Sequence, residues 1–208
     1  MDYKQRIIEE AARMFRTYGI RTVTMDMLAN QMSISKRTIY EVFSDKEELL
    51  EGVIEWMAEK QQETMTAVLS ESDNVVEAIF RMLDLMQEHF NRMSPAFLLD
   101  MKRFHNKVME MQEGREGIPY MNSNAEILNR GIEEGVFRND INVELTNKCM
   151  FEVARISSDQ QVFPPESFRS GEVIRNFYVN FLRGLCTPKG LKLINQYEQS
   201  GVLSSKKQ

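Results

Sequence analysis

The chain has 208 residues, 42% hydrophobic and 27% charged, and carries a formal net charge of −5. That length suits one or two domains with a sizeable core. Five prolines and ten glycines are too few for a sandwich or barrel with its many tight turns. No apolar run approaches the ~18 residues of a membrane span. The amino terminus lacks the apolar stretch of a signal peptide, and Cys149 and Cys186 make no disulfide framework. The expectation is an all-α, cytoplasmic protein with no cofactor and no membrane partner. The negative balance lies entirely beyond residue 50, because residues 1–50 hold eight basic and eight acidic side chains.

Taken in chain order, the first predicted helix spans about 3–18, with Ile7, Ile8, Ala11, Ala12, Phe15 and Tyr18 on one stripe, and Gly19 stops it. Thr24 stands at an N-cap position and Asp26 in the first turn of a short helix over about 25–31. Ser35 caps a second short helix, about 36–43, after a turn holding Ser33. Ser44-Asp45 caps a long helix from Lys46 to about Leu69. Helices are then expected over about 74–93, 95–111, 119–134, 143–163 and 166–186, with a short terminal helix over about 189–198. The one candidate domain boundary lies in the long helix near residue 50, giving domains 1–50 and 51–208.

Two short helices joined by a tight turn, after a longer helix, form a helix-turn-helix arrangement. The second short helix opens on Ser35-Lys36-Arg37-Thr38, small or cationic groups at a positive helix end that suits a phosphate and a major groove. Ile39 and Phe43, four apart, face the other way and anchor the helix to the core. Tyr40 and Lys46 stand where they grip a DNA backbone. The spaced string Arg6-Ile7-Ile8, Ala11-Ala12, Phe15, Tyr18-Gly19, Val23-Thr24, Leu28-Ala29, Ile34-Ser35, Thr38-Ile39-Tyr40, Phe43, Asp45-Lys46-Glu47 and Leu49-Leu50 resembles the amino-terminal domain of the TetR family of bacterial transcriptional repressors. Ser33 departs from the family's usual Gly, and Glu41 from its common aromatic. Glu41, being acidic, is left out of the predicted contacts.

The resemblance implies that Thr24, Tyr40 and Lys46 touch the DNA backbone, and that Lys36, Arg37 and Thr38 reach base edges, with Ser35 beside them. It also implies a homodimer on a double-stranded operator, released by a small effector held in the helical region. Met86, Phe90, Met101, Phe104 and His105, on stripes that are core by default, are the lining the resemblance suggests, suited to an apolar molecule. Phe151, Ile156, Phe177, Phe181 and Leu185 are the predicted dimer seam. Both cysteines and Trp56 are expected in the core. His89 and His105 lack Glu-x-x-His or His-x-x-x-His spacing, so no metal site is expected. Two rival classes remain at this point, a helical cytosolic enzyme and a non-specific architectural DNA-binding protein. The acidic balance disfavours the second, which depends on neutralising phosphate charge.

Overall fold

The computed structural model describes residues 3–97, 99–101, 119–157, 159, 161–164 and 166–204. Its helices are α1 (Tyr3–Tyr18), α2 (Met25–Met32), α3 (Lys36–Tyr40), α4 (Lys46–Glu71), α5 (Val75–Asn91), α6 (Pro119–Glu133), α7 (Val143–Ser157), α8 (Ser170–Leu185) and α9 (Pro188–Ser204). No strand occurs among the described residues, so the all-α expectation holds. The chain forms two compact units: Met1–Gln61 with Arg92–Ile118, and Gln62–Asn91 with Pro119–Gln208. The boundary expected near residue 50 falls within α4, which supplies residues to both units.

In the first unit, Ile7, Ile8, Ala11, Ala12 and Phe15 of α1 are buried, as the stripe requires. Tyr18 is not: it is the last residue of α1 and lies half exposed, while Met14 is buried. Gly19 follows with φ +86°, and a Cβ there would lie 2.9 Å from the Ala96 Cβ. Two contacts hold residues 94–101 against this turn. Ser94 N–H donates to the Arg16 carbonyl at 3.0 Å, and the buried Asp100 carboxylate accepts the Arg21 N–H at 2.9 Å. Phe97 completes the core with Leu28, Ile39 and Phe43.

In the second unit, α5 packs on α8 and on α9, and α7 packs on α6 and α8. Arg130 closes the junction between α4 and α5. It donates to the Leu69 and Ser72 carbonyls and to Glu134, whose other oxygen accepts the Val75 N–H at 2.8 Å. One ion pair thereby satisfies carbonyls left over at one helix end and a donor left over at the next. Gly131 has no room for a side chain, since a Cβ would lie 2.1 Å from the Phe137 ring. The turn after α6 is tied to the α8–α9 junction by Arg138 N–H on the Leu185 carbonyl and Thr187 N–H on the Val136 carbonyl, both at 2.9 Å.

Four helices differ by three residues or more from expectation, α8 by starting at Ser170 rather than about 166. The α3 helix ends at Tyr40 rather than 43, because Val42 and Phe43 N–H both turn back onto the Ile39 carbonyl. The α7 helix ends at Ser157, where Asp159 turns the chain by accepting the Val162 and Phe163 N–H groups on its carbonyl. The terminal helix is longer than expected and runs to Ser204.

Candidate nucleic-acid interface

The candidate interface is set by one turn. Ser33 closes α2 in the left-handed conformation, φ 54° and ψ 40°, with its N–H on the Asn30 and Ala29 carbonyls. It is the one non-glycine residue with positive φ among the described residues. The position thus has the backbone geometry that glycine adopts without cost and that costs an L-residue roughly 1–2 kcal/mol. The Ile34 N–H, returned to the Ala29 carbonyl at 3.0 Å, completes the reversal.

Each short helix is then capped by its own hydroxyl. Thr24 Oγ1 accepts the Met27 N–H at 3.1 Å, and Ser35 Oγ accepts the Thr38 N–H at 3.0 Å. Thr38 Oγ1 lies 2.8 Å from Ser35 Oγ, so one hydroxyl donates to the other at the helix start. Ile39 and Phe43 are fully buried beneath α3. Lys36, Arg37 and Tyr40 are exposed on its outer side, Arg37 with 86% of its side chain open. One face of a five-residue helix therefore holds the fold, and the other offers two cations and a phenol.

The cations are not bare. Lys36 Nζ lies 2.9 Å from the Asp26 carboxylate and 5.8 Å from the centre of the Tyr40 ring. Asp26 beside it holds the ammonium above its ordinary pKa. Arg37 Nε donates to Glu41 Oε1 at 2.9 Å, an i,i+4 pair along the helix. Lys46, at the start of α4, is half-buried and reaches the Arg21 carbonyl at 3.4 Å. Burial lowers its pKa, and the nearby Asp100 charge opposes that shift. Of the two carboxylate partners, Glu41 was legible from its spacing to Arg37. Asp26 was not, because the turn at Ser33 brings it to Lys36 from ten residues away.

The other predicted residues belong to both units. Met86 packs against the core of the second unit and Met101 against the core of the first. Phe104 and His105, like the Phe90 side chain, lie outside the described residues. Of the seam residues, Phe177 and Ile156 are exposed, Phe151 is half-buried, Phe181 packs half-buried against the second core, and Leu185 is buried within it. Leu185 thus has little surface left for a second chain. Phe163 meets Phe168 and Phe177 edge to face, at centroid distances of 5.4 and 5.9 Å. Cys149 corrects the expectation of two buried cysteines, since it is exposed on α7. Cys186 is buried, and burial pushes its thiol up to about 11, which keeps it protonated and unreactive. Trp56 packs half-buried against the first core, as expected.

The family comparison falls on this same motif. Residues 7–53 match the family model described as bacterial regulatory proteins, tetR family. The HTH-type transcriptional regulator YhgD of Bacillus subtilis (strain 168) is 33% identical over 93 residues, 43% of this chain and 49% of that one. The chain therefore spans about half the length of the first curated relatives it matches. The HTH-type transcriptional repressor KstR2 of Mycobacterium tuberculosis is 23% identical over 160 residues, 73% of this chain and 77% of the relative. Its solved structure, described as a ketosteroid transcriptional regulator, covers 89% of this chain and 96% of its own at a TM-score of 0.54 and 18% identity. Thermus thermophilus FadR, a TetR family transcriptional repressor solved in complex with lauroyl-CoA, covers 88% of this chain and 95% of its own, at a TM-score of 0.63 and 20% identity.

Proposed function

We propose that this chain, a member of the tetR family of bacterial regulatory proteins by its amino-terminal domain, is a dimeric, cytoplasmic repressor that binds a near-palindromic operator and leaves it when a small apolar effector binds. The observation that carries the reading is the turn at Ser33 with the helix behind it. It buries Ile39 and Phe43 while leaving Lys36, Arg37 and Tyr40 open to a groove.

The geometry supports a division of labour. Arg37 has the planar fork that matches the O6 and N7 acceptors of guanine, and Lys36 supplies a second donor at the helix start. Thr24, Ser35 and Thr38 offer hydroxyls already ordered by capping bonds. Tyr40 and Lys46 flank the helix as backbone contacts, which set register without reading sequence. A five-residue helix spans few base pairs, so a specific site needs two of them, about 34–36 Å apart, in successive major grooves.

The dimer uses the exposed apolar side of α7 and α8, where Ile156 and Phe177 stand. The effector reading rests on the half-buried Met86 of the bundle and on the ketosteroid and lauroyl-CoA descriptions of the two solved relatives. Such a ligand releases DNA only through unequal affinity for the DNA-competent and incompetent states. An enzyme reading finds little support, because the relatives are regulators and the exposed cations lie on a helix shaped for a groove.

The test is selection of duplexes from a random pool, followed by fluorescence anisotropy at one stated salt concentration. The enriched duplex should be near-palindromic and bind about 10³-fold or more tighter than its shuffled counterpart. A pool that never enriches, or a ratio near one, overturns the reading. A second arm uses Phe177→Asp, which should elute as monomer and lose most operator affinity. Phe177 suits this better than Phe181, whose charge would also disturb the second unit's core.

A further inference from the structure

Both cations that the reading helix exposes are already paired with carboxylates of the same domain. Lys36 is held by Asp26 of α2, and Arg37 by Glu41 just beyond α3. All four side chains lie at the surface. Exposed pairs of this kind contribute little to stability. Their consequence is electrostatic, because they cancel the positive charge of the face that meets DNA and place two anions where phosphates approach. The domain as a whole is neutral as well, with eight basic and eight acidic residues in residues 1–50. No surplus of charge elsewhere in it offsets the loss.

We propose that Asp26 and Glu41 are specificity-determining residues that act by competing with the phosphate backbone for Lys36 and Arg37. The inference rests on the DNA-binding reading above. Random DNA offers Lys36 and Arg37 mainly phosphates, and a phosphate replaces a carboxylate that is already in place, so little is gained. A duplex with correctly spaced guanine acceptors offers Arg37 a fixed bidentate partner. The Arg37 fork can take that partner while its Nε stays on Glu41. The carboxylates therefore weaken binding to random sequence more than binding to the operator, and they widen the ratio between the two.

The test compares the full-length protein with Asp26→Asn/Glu41→Gln, which keeps shape and hydrogen-bonding oxygens but removes both charges. Glu10→Gln, which frees Arg13 from a similar pair on α1, is the control for net charge. Anisotropy is read on a shuffled duplex and on the duplex enriched by selection, over a range of salt, with circular dichroism and melting to check folding. The double variant should bind the shuffled duplex about 10-fold or more tighter, with a salt slope steeper by up to ~0.9 per freed cation. Its affinity for the enriched duplex should change less than about 3-fold. Unchanged affinity for the shuffled duplex overturns the proposal. So does an equal rise on both duplexes, or an equal effect of Glu10→Gln per charge removed. If the wild-type protein enriches no sequence, the operator reading falls by itself, while the shuffled-duplex arm still reports on the two carboxylates.

Discussion

The amino-terminal unit and the helical bundle are built from the same kind of element, but they use their surfaces in opposite ways. In the first unit a helix of five residues is fixed by two buried side chains, Ile39 and Phe43, and nearly everything else on it points outward as polar chemistry. In the second unit most helices are long, the Arg130–Glu134 pair closes helix ends, and among exposed charged groups such as Asp84 and Glu172 stand the large apolar residues Leu145, Ile156, Phe177 and Leu191. A surface of ordered hydroxyls and cations suits a phosphate-lined groove. A surface of exposed aromatic and aliphatic groups suits another protein face. The contrast teaches that one helical chain can hold two recognition chemistries when each is carried by a separate core.

The largest expected effect comes from breaking the first core. Phe43→Ala should cost about 3–5 kcal/mol, because a fully buried ring leaves a cavity under α3. On thermal melting, DNA binding should fail at lower temperature than the far-ultraviolet signal of the bundle decays. A single coincident loss would mean that the two units unfold as one.

Next come the contacts themselves. Arg37→Ala should weaken binding to the enriched duplex by about 1–3 kcal/mol and relax discrimination at one base position. Lys46→Ala should weaken all duplexes alike and flatten the salt dependence by about one unit of slope. Identical behaviour of the two variants in a salt-resolved anisotropy series would erase the division between base-reading and backbone-gripping residues.

The smallest effect is local. Ser33→Gly should stabilise the first unit by about 1 kcal/mol or less, since glycine enters the left-handed region freely but loses more backbone freedom on folding. Differential scanning calorimetry should show a rise of a few degrees at most. A fall would mean that the Ser33 side chain contributes more than its backbone angle costs.

The first unit was legible because its signals are local. Thr24 and Ser35 cap the helices they precede in the chain, Gly19 ends α1, and the spacing of Ile39 and Phe43 marks the buried side of α3. Each rests on contacts within about four residues, which a linear reading sees directly. Tyr18 was misread for the same reason: periodicity placed it on the buried stripe, but α1 ends there and the chain turns away.

In the bundle, the sequence shows where helices begin to within about four residues, less well where they end, and not which of their apolar residues face a neighbour. Leu185 and Phe177 read alike along the chain, yet one is buried and the other exposed, because the choice depends on which helices pack against α8. What this sequence determined alone is an all-α chain with a capped helix-turn-helix and the residues that face outward from it. What only the tertiary structure decided are the pairings across distance: Asp26 with Lys36, Asp100 with the Arg21 N–H, and Arg130 with the end of α4. Those partners are separated by 10, 79 and 58 residues, and no local rule of spacing brings such groups together.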